Sequence, residues 1–110
     1  MRKGYIVLVP FPFTDLSGQK VRPALILHVS RGEDCVVVFI SSRAAKKKNP
    51  FDVSVEPSTK NGLKASSVVK VDKLATLQRK IVIGELGMIE PSALRGVDLA
   101  LKKMFGLSPT

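Results

Sequence analysis

The stretch Gly4-Tyr-Ile-Val-Leu-Val-Pro-Phe-Pro-Phe-Thr-Asp-Leu-Ser-Gly-Gln-Lys-Val-Arg-Pro-Ala-Leu-Ile-Leu-His-Val29 decides how the rest of the chain is read. Two runs rich in apolar and β-branched residues, Tyr5 to Val9 and Ala24 to Val29, are expected to be strands. Pro10 and Pro12 lack N–H donors, so the segment after Val9 is expected to leave the sheet. Asp15, Ser17 and Gly18 supply turn chemistry. The loop closes on Arg22-Pro23, where the proline biases Arg22 toward extended backbone at the start of the second strand. A guanidinium fixed at a strand mouth, under a long loop carrying Phe11 and Phe13, is suited to gripping a phosphate with its planar fork of donors.

Outward from this corner, Ser30 to Asp34 reads as a polar turn and Cys35 to Ile40 as a strand buried on both faces. The run ends at Ser41-Ser42-Arg43, and a basic connection, Ala44 to Asn49, is stopped by Pro50. Phe51 to Glu56 then alternates apolar and polar as a half-buried strand. Asn61-Gly62 marks a sharp turn. A fifth strand is expected over Ser66 to Asp72, and the Lys73 to Lys80 link is ambiguous. A short sixth strand falls within Ile81 to Ile89. Leu94, Val97, Leu101 and Met104 recur at helical spacing after Pro91, a favoured first helical residue. Gly106 follows Lys102 and Lys103 as a C-cap. Five or six short strands closed by one C-terminal helix predict a mainly β fold, a small partly open β-barrel.

Composition narrows the function classes. The 110 residues fit one domain, residues 1–110, and 18 Lys and Arg against 9 acidic residues give a net charge of +9. That excess favours an anionic partner: nucleic acid, an acidic membrane or an acidic peptide. The single Cys35 excludes an intramolecular disulfide, suits a reducing cytoplasm, and reads as a small buried hydrophobe. The basic start Met1-Arg2-Lys3 is followed by prolines and Asp15 rather than a cleavable leader, and no apolar run reaches the ~18–20 residues of a membrane span. A cytoplasmic protein is expected. One histidine, one cysteine and no carboxylates at ligand spacing give no metal site, and no glycine-rich phosphate motif precedes a helix. No cofactor is expected. His28 shares strand parity with Arg22 but lies roughly 20 Å along the strand, too far for a shared site.

Strand ends carry the remaining chemistry. Arg22 begins the second strand and Ser41 ends the third, while Lys70 and Asp72 alternate onto one face of the fifth, about 7 Å apart. If a barrel brings these together, the site has what cleavage of RNA through its own 2′-OH requires. Asp72 can take the hydroxyl proton, Arg22 and Lys70 can stabilise the charged phosphorane, and Ser41 can donate a hydrogen bond. Phe11 and Phe13 either pin their loop to the barrel or stack on a base. Gln19, Lys20, Ser42 and Arg43 flank the same corner as candidate RNA contacts, with Lys46 to Lys48 extending a basic surface.

The blocks Gly4 to Val9, Arg22-Pro23-Ala24-Leu25-Ile26-Leu27, Val38 to Ser42 and Ser67 to Lys73 followed by Thr76 resemble, in that order, the signature of the MazF/PemK toxins of type II toxin–antitoxin pairs. The resemblance implies an SH3-like barrel, a homodimer, and a metal-independent endoribonuclease that cuts single-stranded RNA at short sequences and leaves a 2′,3′-cyclic phosphate. It also implies an acidic antitoxin as partner. By motif, Arg22 matches the family's catalytic arginine, Ser41 stands where a catalytic Thr or Ser is common, and Asp72 matches the aspartate of PemK-like members. Lys70 replaces an arginine, and the loop lacks the histidine some members carry. A toxin acting on DNA gyrase through the same barrel class, or a silent nucleic-acid-binding barrel, is the alternative. The combination of Arg22, Ser41 and Asp72 favours the enzyme, because a pure binder has no need for it.

Overall fold

The structure is a computed structural model and describes residues 1–11, 20–42 and 49–107, without the Phe11 side chain. Six strands form one antiparallel sheet: β1 (Tyr5–Phe11), β2 (Lys20–Val29), β3 (Asp34–Ser41), β4 (Asp52–Val55), β5 (Ser67–Gln78) and β6 (Gly84–Met88). Their order is β4-β5-β3-β2-β1-β6. The 12-residue β5 runs through a 3-10 turn, Arg79–Ile81, almost directly into β6, which flanks β1 at the opposite edge. This return curls the sheet into a half-barrel, and the expected partly open barrel with a C-terminal helix is what the chain forms.

Alternation along the strands feeds two separate cores. Val7, Val9, Ala24, Ile26, Cys35, Val37 and Phe39 fill the concave side, where Ala75, Leu77 and Val82 of the returning segment pack against them. Ile6, Leu25, Val38, Ile40, Val69 and Val71 point the other way. There they are covered by α1 (Pro91–Met104), which buries Val97 and Ala100. Each fully buried Val, Leu or Ile among them contributes about 1.5–3 kcal/mol by leaving water. The central strands are thus buried on both faces, and this is why β3 reads as an uninterrupted apolar run. The helix opens with Pro91 at its first turn and closes on Gly106 at φ +66°, with Leu107 N–H bonded to Lys102 C=O at 2.8 Å and Gly106 N–H to Lys103 C=O at 3.2 Å. This is the glycine C-cap that the spacing predicts.

One expectation needs correction and one ambiguity is resolved. Pro10 does not leave the sheet: β1 continues through it to Phe11, with Pro10 opposite Val21. Pairing of β1 with β6 ends at Leu8, so Pro10 has an open edge on one side. A residue without an N–H is tolerated there. Pro23 is accommodated in the same way, because β3 pairs with β2 only from Ala24 onward. The result is a two-stranded ribbon, Val9–Phe11 against Lys20–Arg22, projecting beyond the main sheet. Second, the ambiguous Lys73 to Lys80 link is mostly strand, since β5 extends to Gln78. In addition, Asp52, on the polar side of the alternating β4, has a side chain 15% exposed and paired with Lys70.

Candidate active site

The feature that builds the site is an irregularity in β5. Phe39 pairs with Lys70, yet the next β3 residue, Val38, pairs with Leu74. Val71, Asp72 and Lys73 are therefore three extra residues opposite none on β3, an extended β-bulge. An odd number of extra residues reverses which face the strand presents. Val69 and Val71 belong to the core under α1, whereas Ala75 and Leu77 belong to the concave core, although all four positions are odd. At the point of reversal Asp72 and Lys73 are pushed outward, and both are exposed.

Register then gathers the partners. Ala24, Phe39, Lys70 and Asp52 form one cross-strand row over β2, β3, β5 and β4. Arg22 and Ser41 each lie two residues beyond that row on their strands, so they share its face. The cavity that results has a volume of about 460 Å³. Arg22, Ser41, Lys70, Asp72 and Lys73 line it, over an apolar floor that includes Phe39 and Ala75. Arg22 projects from the two-stranded ribbon, half-buried, directly opposite Val9.

Two side chains on β5 are held from the segment that leads into β4. Lys70 Nζ lies 2.9 Å from Asp52 Oδ1 and 3.0 Å from Oδ2, with the lysine side chain 20% exposed. This partner is absent from the sequence reading, and it commits the Lys70 ammonium to a carboxylate at the cavity wall. Asn49 Nδ2 donates to Asp72 Oδ2 at 3.0 Å. Asn49, Asp52 and Lys73 are the residues of this site that sequence reasoning missed. Lys73 adjoins Asp72, and its place on the bulge is what brings it to the cavity.

Lys20 and Ser42 are on the same corner, exposed, but do not line the cavity. Phe13, Gln19, Arg43 and Lys46 to Lys48 lie outside the described residues. His28 is exposed on β2, and Cys35 is fully buried in the concave core, where burial pushes its thiol pKa up and disfavours the thiolate. Among the described residues, no three His, Cys, Asp or Glu side chains come together as a metal site, and no helix is long and apolar enough to cross a membrane.

The arrangement offers a guanidinium, a hydroxyl, an ammonium and an oriented carboxylate around an open cavity, a set suited to phosphodiester chemistry. Comparison with known proteins narrows it. Several solved structures share the fold. An endoribonuclease bound to its cognate antitoxin, from a mycobacterial species, is similar at a TM-score of 0.77 and 22% identity, over 100% of this chain and 99% of that one. The Mycobacterium tuberculosis toxin MazF-mt6 is similar at 0.76 and 22%, over 94% of this chain and 98% of that one. A chain of a MazE–MazF structure from Deinococcus radiodurans is similar at 0.76 and 25%, over 98% of this chain and 97% of that one. No curated protein matches the sequence. Residues 2–105 match the family of PemK-like, MazF-like toxins of type II toxin–antitoxin systems. A match over nearly the whole chain places it: this protein belongs to that toxin family.

Proposed function

We propose that the chain is a toxin endoribonuclease that cuts single-stranded RNA at short sequences, using the cavity between the β2 ribbon and the β5 bulge. The observation that carries the reading is that Arg22, Ser41 and Asp72, from three strands distant in sequence, line one cavity. Membership in the toxin family and the endoribonucleases among its structural neighbours support it.

In this reading the substrate's 2′ oxygen attacks the adjacent phosphorus while Asp72 takes the hydroxyl proton. Arg22 neutralises the charge that builds on the non-bridging oxygens, where a planar fork meets two oxygens at once. Ser41 donates a hydrogen bond to the same group. The P–O5′ bond breaks, the leaving 5′ oxygen takes a proton, and the products are a 2′,3′-cyclic phosphate and a 5′-hydroxyl. Lys73 adds an exposed cation for the neighbouring phosphate. Lys70, paired with Asp52, shapes the wall and offsets a carboxylate, and it does not act as a second phosphate clamp. The chemistry uses side-chain cations and a carboxylate, so metal independence is part of the proposal. A homodimer and an acidic antitoxin that covers the basic cavity complete it; antitoxin-bound neighbours support the second of these.

The test is incubation of the purified protein with a long single-stranded RNA in excess EDTA, beside Arg22→Ala, followed by mapping of fragment ends. Discrete cuts bearing cyclic phosphate, absent with Arg22→Ala, are expected. Uncut RNA, or equal cutting by the variant, would refute the assignment.

A further inference from the structure

We propose that Asn49 is a positioning residue for Asp72, and that the turn it opens holds both charged side chains of β5 in place. The inference rests on the reading of Asp72 as the group that takes the 2′-OH proton.

Asn49-Pro50-Phe51-Asp52 is a tight turn closed by Asp52 N–H donating to Asn49 C=O at 3.0 Å. Asn at the first position and Pro at the second suit such a turn. The Asn49 side chain is pinned at one end, because its Oδ1 accepts Phe51 N–H at 2.9 Å. That contact fixes which way the amide faces: its oxygen must meet the N–H, so its Nδ2 points away. The group on the far side is Asp72 Oδ2 at 3.0 Å, an acceptor when ionised. Asparagine is the residue that satisfies both ends, accepting from the backbone and donating to the carboxylate.

Asp72 needs such a support. It sits on the bulge, opposite no residue of β3 and beyond the last residue that β4 pairs with, and it is exposed. A carboxylate so placed samples many rotamers. Holding Oδ2 leaves Oδ1 as the oxygen presented to an incoming hydroxyl. The same turn ends in Asp52, whose carboxylate holds Lys70 two residues before Asp72. One turn therefore fixes the two β5 groups from the side opposite Arg22.

Asn49→Asp separates positioning from mere turn formation. Aspartate still accepts the Phe51 N–H and suits the first turn position, but it sets a carboxylate against Asp72. Asn49→Ser keeps the turn chemistry and falls short of Asp72. For both, kcat on single-stranded RNA is expected to fall about tenfold to a hundredfold, with KM and melting temperature little changed. In an Asp72→Asn background, Asn49→Asp is expected to add no further loss, because it acts through Asp72.

Full activity of both Asn49 variants would overturn the inference while leaving Asp72 in its role. So would a loss that persists undiminished beside Asp72→Asn, or a collapse of the melting temperature in both variants. If Asp72→Asn itself cuts at the wild-type rate, the reading of Asp72 fails and the inference fails with it.

Discussion

Two asparagine–carboxylate pairs in this molecule share nearly the same geometry and have different consequences. Asn61 donates from Nδ2 to Glu90 Oε1 at 2.9 Å, and Asn49 donates from Nδ2 to Asp72 Oδ2 at 3.0 Å. Around Asn61 the chain satisfies everything. The side chain is 0% exposed, its Oδ1 accepts the N–H groups of Ser58 and Leu63, and its Nδ2 also donates to Glu56 C=O. Glu90 is completed by the Ser58 hydroxyl at 2.6 Å. The loop is locked against β6, since Met88 N–H donates to Lys60 C=O and a Cβ at Gly87 would come within 2.2 Å of that oxygen. Around Asn49 the pair faces an open cavity with Arg22 and Lys73 on its rim. A closed network of this kind specifies a loop. An open one leaves a carboxylate oriented and available, and this distinguishes the two sites more sharply than residue type does.

The largest effect should separate them by what it damages. Arg22→Ala is expected to slow RNA cleavage by on the order of 10²–10³-fold, the scale of losing one charge-stabilising donor, with the melting temperature retained because Arg22 lies on the projecting ribbon. Asn61→Ala should do the reverse. It strands two backbone N–H groups, a carbonyl and the Glu90 carboxylate, and is expected to cost about 3 kcal/mol of stability in denaturant titration. Cleavage per folded molecule should not change. A loss of activity in a fully folded Asn61→Ala protein would break the contrast.

Acid should also act on one pair through stability. Hydrogen bonds from Ser58 and Asn61 lower the Glu90 pKa below its usual range. A carboxyl lowered on folding stabilises the protein above its unfolded value of about 4.3, and that contribution is lost as pH falls through the lower folded value. Asn61→Ala should therefore flatten the fall of stability below about pH 4. An unchanged slope in urea titrations across that window would contradict the network. The smallest expected effect belongs to Lys73→Ala: a uniform weakening of RNA binding with a salt slope reduced by about one, checked by affinity across ionic strength.

Much of this was legible in the sequence. Apolar periodicity located the strands and the helix. The strand-end positions of Arg22 and Ser41, with Lys70 and Asp72 on one face of β5, suggested a site only on the condition that a barrel brings those strands together. The missing parts share a cause. Val71-Asp72-Lys73 carries no glycine or proline to announce a bulge, so the reversal of β5 is visible only in its pairing with β3. Asn49 and Asp52 reach partners 23 and 18 residues away, and no local pattern records such contacts. Pro10 was misjudged because its tolerance depends on where β6 stops, a property of the neighbouring strand.

The most direct measurement compares Asp72→Asn with Asn61→Ala in single-turnover cleavage of one RNA, each with its melting temperature recorded. Asp72→Asn is expected to be folded and nearly inactive, and Asn61→Ala less stable but as fast as wild type where folded. Wild-type cleavage by a folded Asp72→Asn protein would contradict the account.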